Sequence, residues 1–199
     1  HSDFSADTER AISVMDYALL VISAIDGVQS HTETLWNLLR LFKVPTFIFI
    51  NKIDIQTVEY DKVFDNIKKQ LSSNIIDFSV DFSEAVADKS EVLFDEYIEK
   101  NKVENYDEIK RLIKENEIFP CFKGSALKDK NVKELLDKLC DLMIENEPSE
   151  NFDAICYKIK RVGNSRYAYL KINSGKIKPK DVIETLSGKQ KVDEVRFPS

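Results

Sequence analysis

Three short apolar runs stand out in the first 150 residues. The first covers residues 17–25, the second Thr46 to Ile50 and the third Phe119 to Phe122. The first two are nearly continuous and rich in β-branched or aromatic side chains, which is typical of strands buried on both faces of a parallel sheet. The sequence therefore predicts three strands of one α/β sheet.

Helical spacing of apolar residues separates these runs. Residues 5–16 predict an amphipathic helix that ends near Asp16, and Val132 to Ile144 keeps the same period. Between the first two strands, an apolar face at residues 35–42 predicts a helix that Ser30 or Thr32 could cap. This alternation of strand and helix indicates a doubly wound α/β fold.

A long charged segment, residues 57–117, interrupts that alternation. It predicts polar helices at Val63 to Leu71, Val92 to Ile98 and Tyr106 to Lys114. We interpret the whole segment as a helical insertion on the sheet.

The period changes to two after a polar linker at residues 145–150. Residues 154–161 and 167–172 alternate, with turn residues at 173–175 and 186–189. This pattern predicts the opening strands of an antiparallel β-barrel. We therefore expect an α/β domain over residues 1–147 and the N-terminal part of a barrel domain over residues 151–199.

The net charge of −6 conceals two differently charged regions. Eleven Lys and Arg face four Asp and Glu between Tyr157 and Phe197, while the preceding residues are strongly acidic. The basic part could approach a polyanion such as RNA, although a solvated basic face explains the same composition.

Membrane insertion and secretion are both disfavoured. No apolar run approaches the roughly 18 residues that a membrane helix needs, and no signal-peptide pattern opens the chain. The three cysteines are odd in number and have no metal-ligand spacing. We interpret them as small buried residues and expect a cytoplasmic location, with no membrane partner and no metal-binding residues among the candidates.

The clearest chemical signal is Asn51-Lys52-Ile53-Asp54, directly after the second strand. Open α/β sheets bind ligands at this carboxyl edge. A carboxylate at Asp54 can accept the N1–H and N2–H₂ donors of guanine together, a pattern that adenine lacks. The Lys52 stem can lie over the base, and the Asn51 amide can tie neighbouring loops together. These residues predict a guanine-nucleotide site.

A second element supports this prediction. Gly124-Ser125-Ala126-Leu127 follows the third strand and precedes a helix, so that the backbone N–H groups of Ser125, Ala126 and Leu127 could meet guanine O6. Such a sequence is ordinary loop chemistry by itself. It supports a guanine site because it follows the third predicted strand, just as the Asn51–Asp54 motif follows the second.

The whole chain resembles the translational GTPases. Asn-Lys-Ile-Asp and Gly-Ser-Ala match their base-recognition motifs, residues 1–4 resemble the end of their second switch, and residues 26–29 match their Asp-Gly-Val-Gln. The resemblance is closest to the ribosomal-protection tetracycline-resistance proteins, with elongation factor G as the alternative. The Ile-Asn-Lys-Ile-Asp sequence and a shorter insertion favour the former.

The resemblance implies a partial P-loop-type GTPase domain followed by a barrel. It assigns His1 to positioning the water that attacks the γ-phosphate, although His1 could instead be the end of an expression tag. GTP or GDP with Mg²⁺ would be the cofactors of the intact protein. The phosphate-binding GxxxxGK[ST] motif is not in these residues, so we expect the 199 residues alone to be inactive and to bind GTP very weakly.

The resemblance also implies a partner, the ribosome. The basic region over residues 157–197 would contact small-subunit RNA, and hydrolysis would release the protein from the ribosome. A tetracycline-resistance protein would dislodge the drug, whereas an elongation factor G-type protein would drive translocation. A non-enzymatic RNA-binding module is a third alternative, in which the Asn51–Asp54 motif is incidental. The oligomeric state is left open.

Overall fold

A computed structural model describes residues 6–145, 149–163, 165–186 and 188–197. The chain divides into two compact units, the first ending at Ile144 and the second beginning at Glu145. His1 and the predicted helix start at residue 5 lie outside the described residues. So do residues 146–148 of the predicted linker and residue 187 of the predicted turn.

A four-stranded parallel sheet forms the centre of the first unit and confirms the predicted α/β class. Its strands lie in the order β1-β2-β4-β3. Their bounds are β1 Ala18–Ser23, β2 Thr46–Asn51, β3 Ile75–Asp77 and β4 Phe119–Lys123. All four carboxyl ends lie at the same edge because the strands are parallel.

Helices cover both faces of the sheet. Their bounds are α1 Ala6–Ile12, α2 Ser30–Leu41, α3 Tyr60–Gln70, α4 Ser83–Ala87, α5 Glu91–Lys100, α6 Tyr106–Lys114 and α7 Val132–Leu142. Trp36 of α2 and Ile67 of α3 pack on one face with Ile48 and Ile50. The other face packs against α4 to α7. The predicted cap of α2 is wrong, since Gln29 is its N-cap and makes no side-chain cap bond.

The prediction that β1 is buried on both faces is wrong. Leu20 and Ile22 are buried, but Leu19 is 40% exposed and Val21 is 54% exposed. Leu19 and Val21 are level with Phe47 and Phe49 of β2. Among the described residues β1 is an edge strand, and the helices that cover Phe47 and Phe49 do not extend over it. An apolar run shows that a strand is suited to burial, but not that both faces are covered.

The segment predicted as a helical insertion, residues 57–117, also contains a strand of the main sheet. It forms helices α3 to α6, and β3 between α3 and α4 pairs with β4 over Ile75 to Asp77. The helices are not polar all round. Leu93 of α5 and Leu112 of α6 are fully buried in the core. The segment is therefore not only an insertion on the sheet, since it supplies strand β3 and part of the core.

The described residues of the second unit form two antiparallel strand pairs. β5 Asp153–Val162 pairs with β6 Ser165–Ser174, and β7 Val182–Thr185 pairs with β8 Gly188–Lys191. A register shift between Cys156 and Lys158 interrupts the predicted alternation of β5. The antiparallel strands are confirmed, and closure into a barrel stays a prediction.

Among the described helices, none has the length and apolar character needed to cross a membrane. The three cysteines are free thiols. Cys121 is buried in β4, but Cys140 and Cys156 are exposed, so the interpretation of all three as small buried residues is wrong for two of them.

Glu108 of α6 forms a surface network with a clear pH signature. Its carboxylate accepts hydrogen bonds from Arg111 at 2.8 Å and from the Ser90 hydroxyl at 2.6 Å. The hydrogen bonds from Arg111 and then from Ser90 lower the pKa of Glu108 from 4.5 to about 2. The stabilisation is therefore present above pH 4.5 and is lost as the pH falls towards 2.

We predict that Glu108→Gln lowers the free energy of unfolding at pH 7. Because solvent screens this surface network, the expected loss is about 1 kcal/mol. Denaturant unfolding at pH 7 and at pH 3 should show a smaller difference from the native protein at the lower pH. Glu99→Gln, on the exposed part of α5, is the control and should have little effect. A loss that is equal at both pH values would contradict the role assigned to the ionised carboxylate.

Candidate functional site

The predicted nucleotide-binding residues lie at the carboxyl edge of the sheet, where two neighbouring strands end. β2 ends at Asn51 and β4 at Lys123, and Ile50 is paired with Lys123 in the register of the two strands. The backbone links them further, since the Gly124 N–H donates to Ile50 O at 3.0 Å and the Ile53 N–H donates to Gly124 O at 3.2 Å. The loops that follow, residues 51–54 and 124–127, therefore start side by side.

The Asn51 side chain holds the two loops together. Its Oδ1 accepts the backbone N–H of Lys52 at 2.8 Å and that of Ala126 at 2.9 Å. Asn51 and Ala126 are far apart in sequence, so this contact is tertiary. Through these two bonds Asn51 Oδ1 links the loop after β2 to the loop after β4.

Lys52 has a left-handed backbone conformation, with φ of 67°. Residues other than glycine rarely adopt it, and the bond from the Lys52 N–H to Asn51 Oδ1 helps to hold it. The side chain is exposed, with its Nζ 3.8 Å from Asp26 Oδ2. Asp26 belongs to the turn after β1, so Lys52 brings a third loop to the same edge.

Asp54 faces the loop after β4. A hydrogen bond from the Ser125 side chain is the main cause that lowers the pKa of Asp54 below its usual range, and the nearby Lys128 and Lys130 add to the effect. Asp54 is therefore ionised at neutral pH and acts as an acceptor. Among the described residues no Lys or Arg forms a direct ion pair with it, so its carboxylate can still receive the donors of a ligand.

The loop after β4 is compact at its base and open at its tip. Ser125 is 1% exposed and forms a two-bond bridge with Lys130, with N···O distances of 3.0 and 2.9 Å. Ala126 is exposed, and Leu127 is 92% exposed. Residues 126–127 thus lie at the surface, and the bridge between Ser125 and Lys130 holds the base of their loop.

Gly124 is required by packing. A Cβ atom built there would lie 2.5 Å from Lys130 O and 2.8 Å from Phe49 Cζ. Only a residue without a side chain allows the loop to approach β2 so closely. The glycine therefore keeps the two loops in contact.

The structure brings together all six predicted base-binding residues, which are Asn51, Lys52, Asp54, Ser125, Ala126 and Leu127. It does not place the predicted catalytic residue, His1, which lies outside the described residues. Within the part of the chain that the structure describes, no group of three or more His, Cys, Asp or Glu side chains could hold a metal ion.

Two features of the site were not predicted from the sequence. The sequence identifies Asp26 only as part of a matching motif, not as the ion-pair partner of Lys52. The sequence predicts a role for the Ser125 backbone, whereas its side chain also lowers the pKa of Asp54. Motif spacing shows which loops meet, but it does not show which side chains pair.

Comparison with known proteins shows the family to which the chain is related. A family model, the elongation factor Tu GTP binding domain, matches residues 1–145. Tetracycline resistance protein TetW of Butyrivibrio fibrisolvens is 30% identical and TetP of Clostridium perfringens is 28% identical, and their alignments cover 100% and 92% of this chain. Elongation factor G of Carsonella ruddii (strain PV) is 26% identical over 92% of the chain.

The chain spans about a third of the length of these relatives, namely 35% of TetW, 32% of TetP and 36% of the elongation factor G. Among solved structures, a crystal structure of a protein from Thermus thermophilus matches with a TM-score of 0.76 and 17% identity. The match covers 96% of this chain and 37% of that protein. It shows a similar fold.

We predict that Gly124→Ala destabilises the first unit by about 1–3 kcal/mol, because the added methyl group overlaps Lys130 O and Phe49. Denaturant unfolding should measure this loss. Leu127→Ala is the matched control in the same loop. Its side chain is 92% exposed, so its effect should stay within about 0.5 kcal/mol. Equal stability of the Gly124→Ala variant and the native protein would show that the loop has room to move away.

Proposed function

The chain belongs to the elongation factor Tu GTP-binding domain family, and we propose that the loops after β2 and β4 bind the guanine base of GTP and GDP. The observation that carries this proposal is the hydrogen bond from the Ala126 N–H to Asn51 Oδ1 at 2.9 Å. It joins the two predicted recognition elements, so that one ring can contact both.

Each residue has a distinct role in this proposal. The ionised Asp54 accepts the N1–H and N2–H₂ donors of guanine, which adenine cannot supply at the same edge. The Lys52 stem lies along the face of the base, and Asn51 fixes the distance between the loops. The Ser125 N–H already donates to Lys130 O and the Ala126 N–H to Asn51 Oδ1, so the Leu127 N–H is the backbone donor that serves guanine O6. Selection of guanine thus rests on one carboxylate acceptor and one backbone donor of the loop after β4.

We extend the proposal to the whole protein, a ribosome-dependent GTPase. His1 would orient the water whose oxygen attacks the γ-phosphorus, releasing inorganic phosphate and leaving GDP. Such a residue works by orientation and charge stabilisation. Mg²⁺ would neutralise phosphate charge when bound. The residues after β2 and β4 would contribute recognition of the base.

For the biological role we propose a ribosomal-protection protein that releases tetracycline from the small ribosomal subunit. The Ile50–Asp54 sequence and the short insertion support this interpretation, as do relatives such as TetW and TetP. An elongation factor G-type translocase is the second candidate, supported by the 26% identity to the Carsonella ruddii protein.

The second unit would supply contact with RNA. Its strands carry most of the eleven Lys and Arg between Tyr157 and Phe197, and phosphate groups of small-subunit RNA would pair with them. Binding of this kind weakens as salt rises, because counterions are released from the RNA. A protein that acts on ribosomes would reside in the cytoplasm.

We predict that Asp54→Asn, in the full-length protein, shifts nucleotide preference from guanine to xanthine. An amide can donate to the C2 oxygen of xanthine, where the carboxylate could only accept. Competition of GDP and XDP against a fluorescent nucleotide should show at least about a tenfold change in the GDP-to-XDP ratio. Asp129→Asn removes a charge from the neighbouring loop, where φ of 51° suits asparagine, and serves as the control. An unchanged ratio for Asp54→Asn would refute the role of Asp54.

We predict that ribosomes stimulate GTP hydrolysis by the full-length protein and that the protein restores peptide synthesis inhibited by tetracycline. The measurements are phosphate release with and without ribosomes, and translation in the presence of the drug. Equal hydrolysis rates with and without ribosomes would exclude the proposed class. Support of translocation in a system lacking elongation factor G, without rescue from tetracycline, would favour the second candidate. RNA binding that is independent of guanine nucleotides would favour a non-enzymatic module.

A further inference from the structure

We propose that Asp77, acting with Tyr60 and Ser79, is a positioning residue for the guanine-recognition loop. These three residues belong to the segment 57–117 and fix Lys123, the last residue of β4, directly before Gly124. The inference rests on the proposed binding of guanine by this loop. It gives the segment a role in nucleotide selection besides its packing role.

The first step of the argument concerns the end of β3. This strand has only three residues, and its pairing with β4 ends at the register Asp77 to Cys121. The Phe78 N–H still donates to Cys121 O at 2.8 Å. The next N–H that β4 turns to this side, that of Lys123, donates instead to the Ser79 hydroxyl oxygen at 2.9 Å. A side chain thus continues the hydrogen bonding of β4 beyond the end of β3.

The Asp77 carboxylate contacts both Ser79 and Lys123. Its Oδ1 accepts the Ser79 N–H at 2.8 Å, which fixes the turn after β3. Its Oδ2 accepts the Tyr60 hydroxyl at 2.8 Å and lies 3.6 Å from Lys123 Nζ. One carboxylate therefore contacts the backbone of its own loop, the start of α3 and the side chain of Lys123.

The cluster is sheltered from solvent. The Asp77 side chain is 12% exposed and that of Lys123 is 25% exposed, while Lys123 Nζ lies 4.0 Å from the centre of the Tyr60 ring. Burial, together with the negative charge of Asp77, raises the pKa of Tyr60, so its hydroxyl remains a donor. Hydrogen bonds to a charged group that is shielded from water are stronger and more directional than surface ion pairs.

Lys123 passes this constraint to the recognition loop. Its carbonyl oxygen accepts a hydrogen bond from Asn131 Nδ2 at 3.0 Å, at the far end of the same loop. The next residue is Gly124, whose N–H donates to Ile50 O. Lys123 therefore contacts both ends of the loop, and a shift of Lys123 moves the Leu127 N–H relative to Asp54.

A positioning role and a purely stabilising role predict different effects on the binding of two nucleotides. The loop is proposed to serve guanine O6, whereas Asp54 serves N1–H and N2–H₂. The analogue 6-thio-GDP keeps both of those donors and replaces O6 by sulfur, a weaker acceptor. A displaced loop should therefore weaken the binding of GDP more than the binding of 6-thio-GDP. A general loss of stability should weaken the binding of both nucleotides alike.

The test measures dissociation constants for GDP and 6-thio-GDP with the full-length protein and its Asp77→Asn and Tyr60→Phe variants. We expect Asp77→Asn to raise the dissociation constant of GDP on the order of tenfold and Tyr60→Phe to raise it about threefold. In both variants the preference for GDP over 6-thio-GDP should fall towards one. Tyr60→Phe removes a single hydroxyl group, so it keeps the test valid if Asp77→Asn does not fold.

Asp81→Asn is the matched control. Asp81 lies in the same segment and its Oδ1 accepts the Ser83 N–H at 3.0 Å, away from the hydrogen bonds that fix Lys123. It should leave the preference unchanged. Folded Asp77→Asn and Tyr60→Phe variants with the native preference would overturn the inference, whether or not both affinities fall together. The proposed function would then still stand, whereas a native protein that binds neither nucleotide would remove both.

Discussion

The parallel pairing of β2 with β4 is the constraint on which the site depends. Pairing of Ile50 with Lys123 sets the two strand ends level, and the Gly124 N–H bonded to Ile50 O carries the contact one residue further. Asn51 then closes the gap by accepting the Ala126 N–H. Because each of these bonds involves backbone or a short side chain, the distance between the recognition loops is set by the sheet. The exposed side chain of Lys52 lies at the same edge of the sheet, beside Asp26.

The sequence was a good guide to this site because its two motifs directly follow core strands. Strands can be identified from short apolar runs, and parallel strands place the residues after them at one edge. Asn51, Asp54 and Ser125 could therefore be expected to lie near one another from the sequence alone. Their particular pairings could not be foreseen. The Ser125 hydroxyl has no sequence pattern that points to Asp54, and nothing in the chain marks Asp26 as a partner of Lys52.

Other parts of the fold were harder to predict, for identifiable physical reasons. β3 contains only Ile75, Ile76 and Asp77, which is too short to show a period, and it lies among charged helices. Leu19 and Val21 have the composition of a covered strand, yet burial depends on what packs against β1 rather than on β1 itself. The amphipathic α6 was located correctly because its apolar residues repeat over a full helix and its ends are well marked. Long periodic elements therefore carry more information than short ones.

The strand order has a consequence for how the protein forms during synthesis. β4 is the last strand of the sheet to leave the ribosome, yet it lies between β2 and β3. Among the described residues, β3 finds its strand neighbour only when β4 arrives. Pairings between distant parts of a chain form slowly, since a long loop must close first. Translation must therefore proceed well past residue 123 before the sheet can close, and until then the nascent chain exposes strands that chaperones can recognise.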